Sequence, residues 1–130
     1  MNADESIDLK FHPFTAIPGL PFSEAVDVGK LLFLSGQIGS GDDGKLVVGG
    51  IKAETKQTMA NIRNVLERHG MSMDRVVKVT VMLADITEWA AMNEEYLVAF
   101  GAHRPARSAF GTSGLAMNAR VEIECIALRQ

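Results

Sequence analysis

Two short stretches hold the side chains best suited to chemistry: Arg104-Pro105-Ala106-Arg107-Ser108 and Val121-Glu122-Ile123-Glu124. A guanidinium is planar, permanently charged and offers a fork of donors that fits a carboxylate through two parallel hydrogen bonds. At Arg107 the nearby proline stiffens the start of an extended segment, and the small Ala106 and Ser108 leave space around the side chain. Carboxylates such as Glu122 and Glu124 belong to the side-chain types that move protons in catalysis. On residue types alone the simpler reading is structural: a surface ion pair for Arg107, and for the glutamates pairing with a cation such as Lys78 on a neighbouring strand.

Other candidates reduce to plain roles. Gly39-Ser40-Gly41-Asp42-Asp43-Gly44 has the letters of a dinucleotide fingerprint, but Lys45 to Gly50 reads as extended where a helix would have to begin, so a mobile loop is expected. His12, His69 and His103 match no metal-ligand spacing, and His69 is placed to complement the negative end of a helix. Cys125 reads as a small buried hydrophobe, and Trp89, Tyr96 and the methionines read as core.

The elements that must position these residues follow from periodicity. Ala25 to Val28 and Leu31 to Ser35 flank a glycine turn and read as a hairpin. From Lys52 to His69, Thr55, Met59, Ile62, Val65 and Leu66 recur at helical spacing before Gly70. Arg75 to Ala84 is a β-branched strand with Val77, Val79, Val81 and Leu83 expected on one face. Thr87 is the expected N-cap of a second helix bearing Trp89, Met92, Tyr96 and Phe100, which Gly101 and Pro105 end. Strands over Ala106 to Gly111 and Arg120 to Leu128 complete an α+β domain spanning 1–130, with both helices on one side of one sheet. The last strand alternates Val121, Ile123, Cys125 and Ala127 with Glu122, Glu124, Ile126 and Leu128, so the face without helices is partly apolar and suits another subunit better than water.

The 130 residues fit one domain, and 47% hydrophobic with 22% charged residues is an ordinary globular composition. A net charge of −3 with no run of lysine or arginine argues against nucleic acid as a partner. The stretch Met1 to Lys10 is acidic and resembles neither a secretory signal nor a transit peptide, no apolar run reaches membrane-spanning length, and the single cysteine fits a reducing compartment. A cytoplasmic location is expected.

In order along the chain, Gly19-Leu-Pro21-Phe22-Ser23-Glu24-Ala25, Phe33-Leu-Ser35-Gly36-Gln37-Ile38, Gln57-Thr58 with Asn61-Ile62, Val77-Lys78-Val79-Thr80-Val81, Asn93 with Tyr96, Pro105-Ala-Arg107-Ser108 and Val121-Glu122-Ile123-Glu124 resemble the RidA family. That family is also known as YjgF and is described as L-PSP endoribonuclease as well. The resemblance implies a chorismate-mutase-like fold, a homotrimer with clefts between subunits, and cofactor-free hydrolysis of 2-imino or enamino acids, of the 2-iminobutanoate/2-iminopropanoate type, to 2-keto acids and ammonia. It assigns carboxylate binding to Arg107 and water activation to Glu122, and places Phe22, Ser35, Gly36 and Asn93 in the substrate pocket. The chain departs from the family pattern at Phe22, where a tyrosine is common, at Ala109 for a cysteine and at Glu24 for a glutamine, changes that leave Arg107 untouched and bear on the substrate. The alternatives are a protein that binds a small carboxylate or keto acid without turning it over, an endoribonuclease or translation inhibitor, against which the acidic charge and unpaired histidines count, and a chaperone, for which no feature speaks.

Overall fold

A computed structural model describes residues 6–129; Met1 to Glu5, part of the stretch judged not to be a signal, and Gln130 lie outside it. Eight main elements follow in order: β1 (Leu9–His12), β2 (Ala25–Val28), β3 (Leu31–Gln37), α1 (Gly50–Arg68), β4 (Val76–Leu83), α2 (Trp89–Phe100), β5 (Ala106–Gly111) and β6 (Val121–Leu128). The strands form one mixed sheet in the order β1-β2-β3-β6-β4-β5, in which only β4 and β5 run parallel. β6, last in the chain, inserts between the two strands that α1 connects, while α2 makes the crossover from β4 to β5. This is the expected α+β arrangement. The strand β1 is an addition, pairing with β2 where the sequence suggested only an N-terminal segment.

Local chemistry explains the boundaries. Val28 pairs with Leu31 across a two-residue turn whose first position, Gly29, has φ of 60°, a conformation glycine adopts without steric cost. In α1, Thr55, Met59, Ile62, Val65 and Leu66 are all buried, and Gly70 takes the left-handed conformation just past the helix. The base of the loop before α1 is tied down: Ser40 bridges Leu46, and the Asn61 side-chain amide donates to the carbonyls of Ile38 and Ser40 at 2.9 Å each. Gly39 lacks a Cβ where one would stand 2.6 Å from the Glu54 carbonyl oxygen, so α1 can lie against this loop.

Three expectations need correction. Val77 does not share the core face of β4; a bulge between Val76 and Lys78 puts Val76 in the core and leaves Val77 exposed. Asp85, not Thr87, supplies the cap, accepting from the Thr87 N–H at 2.9 Å at the start of a 3₁₀ turn that precedes α2, and α2 itself has no side-chain cap. In α2, Met92, Tyr96 and Phe100 are buried as expected, but Trp89 is 42% exposed. Met117 is also exposed, unlike the core methionines Met59, Met71, Met73 and Met92.

One face of the sheet meets both helices in a continuous core that includes Leu32, Val79, Val81, Leu83, Val121, Ile123, Cys125 and Ala127. Burial pushes the Cys125 thiol up to about 12, consistent with an inert hydrophobe. The other face has no covering element among the described residues. Phe11, Phe33 and Phe110 lie exposed there beside Ile126, Lys78, Glu122 and Glu124, matching the two-sided pattern of β6.

At the far edge a charge network ties the chain ends to α1. Asp27 accepts from Arg129 Nε at 2.6 Å and Nη2 at 3.2 Å and meets His12 Nε2 at 2.7 Å, while Arg129 Nη1 donates to the His69 carbonyl at 2.6 Å. His69 packs its ring against that of His12, with centroids 4.5 Å apart, and burial, then the neighbouring His12, lower its pKa against the opposing pull of Glu24 3.6 Å away. Glu24 is buried. Burial raises its pKa, but the paired hydrogen bonds from Arg68 at 2.6 and 2.8 Å, with His69, outweigh that and lower it, so the chain can keep an acid at this buried position. The hydrogen bonds from Arg129 likewise hold the Asp27 pKa down, against its burial and with help from His12. A carboxylate with a depressed folded pKa stabilises at pH values above its unfolded pKa and loses that contribution as pH falls through the folded value. Asp27→Asn is therefore expected to lower unfolding stability at pH 7 by about 1.5–3 kcal/mol. Urea denaturation at matched protein concentration checks this, and the gap to wild type should narrow in acid.

Candidate functional site

The six residues expected at the site fall into two groups. The first is built on β5 and α2. Arg107 Nη1 donates to Asn93 Oδ1 at 2.6 Å, and the guanidinium carbon stands 4.7 Å from the centroid of the Tyr96 ring and 5.4 Å from that of Trp89. Asn93 and Tyr96, three apart on α2, both reach the same guanidinium because i and i+3 share a helix face. The aromatic rings supply cation–π attraction that helps hold the guanidinium in place. The sequence suggests only core positions for Trp89 and Tyr96; their spacing of four and three residues from Asn93 and Asn93's own link to Arg107 are what reveal the second role. Burial raises the Tyr96 pKa, with Arg107 opposing it, so the ring remains a neutral phenol. A cavity of about 200 Å³ opens beside Arg107.

The second group is built on β3, β6 and the loop before β2. Leu34 pairs with Cys125 and Gln37 with Ile123, so β3 carries one extra residue at Ser35-Gly36 opposite Glu124. The bulge lets the Glu122 side chain occupy the space over Gly36: a Cβ built there would sit 2.1 Å from Glu122 Oε2 and 2.9 Å from its carboxyl carbon. Ser35 Oγ donates to the Ser23 carbonyl at 2.5 Å, which anchors the loop carrying Phe22. Phe22 is half exposed and meets Phe14 edge to face at 5.6 Å. Glu54, buried on α1, accepts from the Arg120 N–H at 2.9 Å and so sets the start of β6 two residues before Glu122.

Glu122 and Glu124 make no ion pair with Lys78 among the described residues; Lys78 Nζ instead lies 3.4 Å from Ser108 Oγ. Burial raises the Glu122 pKa, and the charge of Glu124 raises it further. A carboxylate without a cation partner among the described residues, its pKa raised and its side chain held in a glycine-made gap, is suited to taking a proton from water.

Register decides how the two groups relate. Val79 pairs with Arg107 on one side and Cys125 on the other, so Arg107 projects from the helix-covered face. Met82 pairs with Glu122, three residues from Val79 and Cys125, so Glu122 projects from the open face. Within one chain the two side chains are on opposite sides of the sheet. Size alone does not locate a site either: a larger cavity of about 600 Å³, near Glu24, Gln37, Asn61 and Arg68, is lined by neither Arg107 nor Glu122. No helix among the described residues is long and apolar enough to cross a membrane.

Gly36→Ala is expected to displace the Glu122 carboxylate, because the atoms nearest the added methyl are Glu122 Oε2, Cδ and Cγ, and to change stability far less than rate. A misplacement of about 1 Å can cost on the order of 10² in rate. Activity and urea denaturation measured on the same preparation separate the two effects.

A mixed sheet with two helices on one face and this pairing order defines the class, and the same architecture occurs in RidA from the Antarctic bacterium Psychrobacter sp. PAMC 21119, whose structure covers 90% of this chain and 93% of its own at 33% identity and a TM-score of 0.81. HMF1 of Saccharomyces cerevisiae is 45% identical over 106 residues, 82% of each chain, and the Mus musculus 2-iminobutanoate/2-iminopropanoate deaminase is 40% identical over 110 residues, 84% of this chain and 82% of its own. The model of the family described as endoribonuclease L-PSP matches residues 15–129, and the chain belongs to this family, the RidA/YjgF family.

Proposed function

We propose that the protein hydrolyses 2-imino and enamino acids to 2-keto acids and ammonia, without a cofactor, at sites shared between the subunits of a homotrimer. The observation that carries this is the division of the candidate residues between two sheet faces. Arg107 with Asn93 from one subunit, and Glu122 with Gly36, Ser35 and Phe22 from the next, can face one substrate only across an interface. The open face, with its exposed phenylalanines and its two carboxylates, is a surface such an interface would cover. A ring of heterologous contacts closes at three subunits in the reading the family supports.

Arg107 grips the substrate carboxylate through two parallel charge-assisted bonds, its guanidinium held by Asn93 and by contact with the rings of Tyr96 and Trp89. The imine carbon is thereby held near the Glu122 carboxylate of the neighbouring subunit. A water hydrogen-bonded to Glu122 gives up a proton as its oxygen attacks that carbon; the nitrogen is protonated and departs as ammonia, leaving the keto acid. The relative named as a 2-iminobutanoate/2-iminopropanoate deaminase supports this chemistry. Purified protein mixed with freshly generated imino acid should speed keto-acid appearance above the spontaneous rate, and light scattering should give about three chain masses of 14.1 kDa. Binding of keto acids with no rate enhancement would replace the enzyme by a carboxylate-binding protein.

A further inference from the structure

The cavity beside Arg107 is lined by Asn93, Tyr96, Leu97, Arg104, Pro105 and Arg107. It holds two guanidinium-bearing residues and no acidic one. Arg104 is exposed and makes hydrogen bonds only to backbone carbonyls, those of Gly101 and His103, the latter at 3.0 Å; among the described residues neither Arg104 nor Arg107 forms an ion pair. The Asn93 amide oxygen is committed to Arg107, and Leu97 and Pro105 offer apolar walls. At about 200 Å³ the space lies below the range typical of drug-sized ligands and suits a small metabolite. Two like charges around one small cavity repel each other, and a single carboxylate on Arg107 would leave the second uncompensated. Lysines or arginines at a groove mouth also raise the local concentration of anions in proportion to their charge.

Resting on the reading of Arg107 as the carboxylate anchor, we propose that the preferred ligand is dicarboxylic, a 2-imino acid with a second carboxylate at the end of its side chain, and that Arg104 receives this distal carboxylate. Arg104 is then a specificity-determining residue. Its side chain need only exchange two neutral carbonyl acceptors for a charged one, and hydrogen bonds to a charged acceptor are the stronger kind. The apolar walls at Leu97 and Pro105 accommodate the methylene groups between the two ends.

The stable keto acids 2-oxoglutarate and 2-oxobutanoate report this preference without any turnover. Calorimetric titration of the wild-type protein should give 2-oxoglutarate an affinity about tenfold or more above that of 2-oxobutanoate, as expected for an added charged hydrogen bond. Arg104→Gln should bring the ratio of the two affinities towards one, and Arg104→Lys should keep part of it. Equal affinities in the wild type, an unchanged ratio in Arg104→Gln, or binding of neither keto acid would overturn the proposal. Selective binding of 2-oxoglutarate by a protein that fails to hydrolyse imines would uphold it while removing the enzymatic reading of the same site.

Discussion

Arg107→Ala and Arg107→Lys are both expected to lose most imine hydrolysis. Removing hydrogen bonds to a charged group costs about 1.5–3 kcal/mol, which is about tenfold to a hundredfold in kcat/KM. Loss of orientation adds to this, because a substrate held by a point charge can swing its imine carbon away from the attacking water, and misplacement near 1 Å is worth on the order of another 10². Lysine retains charge but cannot reproduce the fork, nor the contact of a planar cation with the Tyr96 and Trp89 rings. The fold should survive both changes, since Arg107 is partly exposed and its one side-chain hydrogen bond among the described residues is to Asn93. Steady-state rates on one imino acid, with the spontaneous rate subtracted, together with gel-filtration mass, check the result. Wild-type activity in Arg107→Ala would remove this arginine from the site.

Glu122→Gln should lower kcat more than it raises KM. The amide is the same size and can still hold a water, but cannot accept its proton, and general-base catalysis contributes about 10²–10⁴ in rate. The pH profile supplies a second signature. The working form is the carboxylate, and burial, then the charge of Glu124, raise the Glu122 pKa. The wild-type rate should therefore fall with acidification at a pH above the ordinary carboxylate range. Glu124→Gln removes the repulsion and should move this limb to lower pH, whereas Glu122→Gln should lack it. A limb unchanged in both variants would assign the proton to another group.

Much of the framework was legible in the sequence because periodicity and turn residues are local. The stripe of α1, the Gly29 turn and the alternation of β6 each follow from neighbours a few residues apart. The misses share a cause in tertiary context. Val76 replaced Val77 in the core because a bulge shifted the period by one residue, which no propensity records. Trp89 lies at a helical spacing suited to burial, yet it begins α2 at the edge of the sheet and turns its ring to Arg107. β1 was invisible because Leu9 to His12 is short, and its pairing depends on a distant β2.

Arg107 and Glu122 could be proposed as site candidates from the ordered motifs, but their separation onto opposite faces could not be read there. That separation depends on β6 entering between β3 and β4 and on the register of three strands far apart in the chain. The role of Gly36 was equally hidden, since it arises from a bulge that brings Glu122 over a missing Cβ. Arg104 gains its meaning only from the cavity it shares with Arg107.

The central claim is that each site takes Arg107 from one subunit and Glu122 from another, and subunit mixing tests it most directly. Arg107→Ala and Glu122→Gln proteins, each inactive alone, would be unfolded together in equal amounts and refolded. In a closed ring with random assembly, about one site in four then pairs an intact Arg107 with an intact Glu122. Recovery of roughly a quarter of wild-type activity is the predicted result. A mixed assembly of the expected mass that stays as inactive as its parents would contradict it.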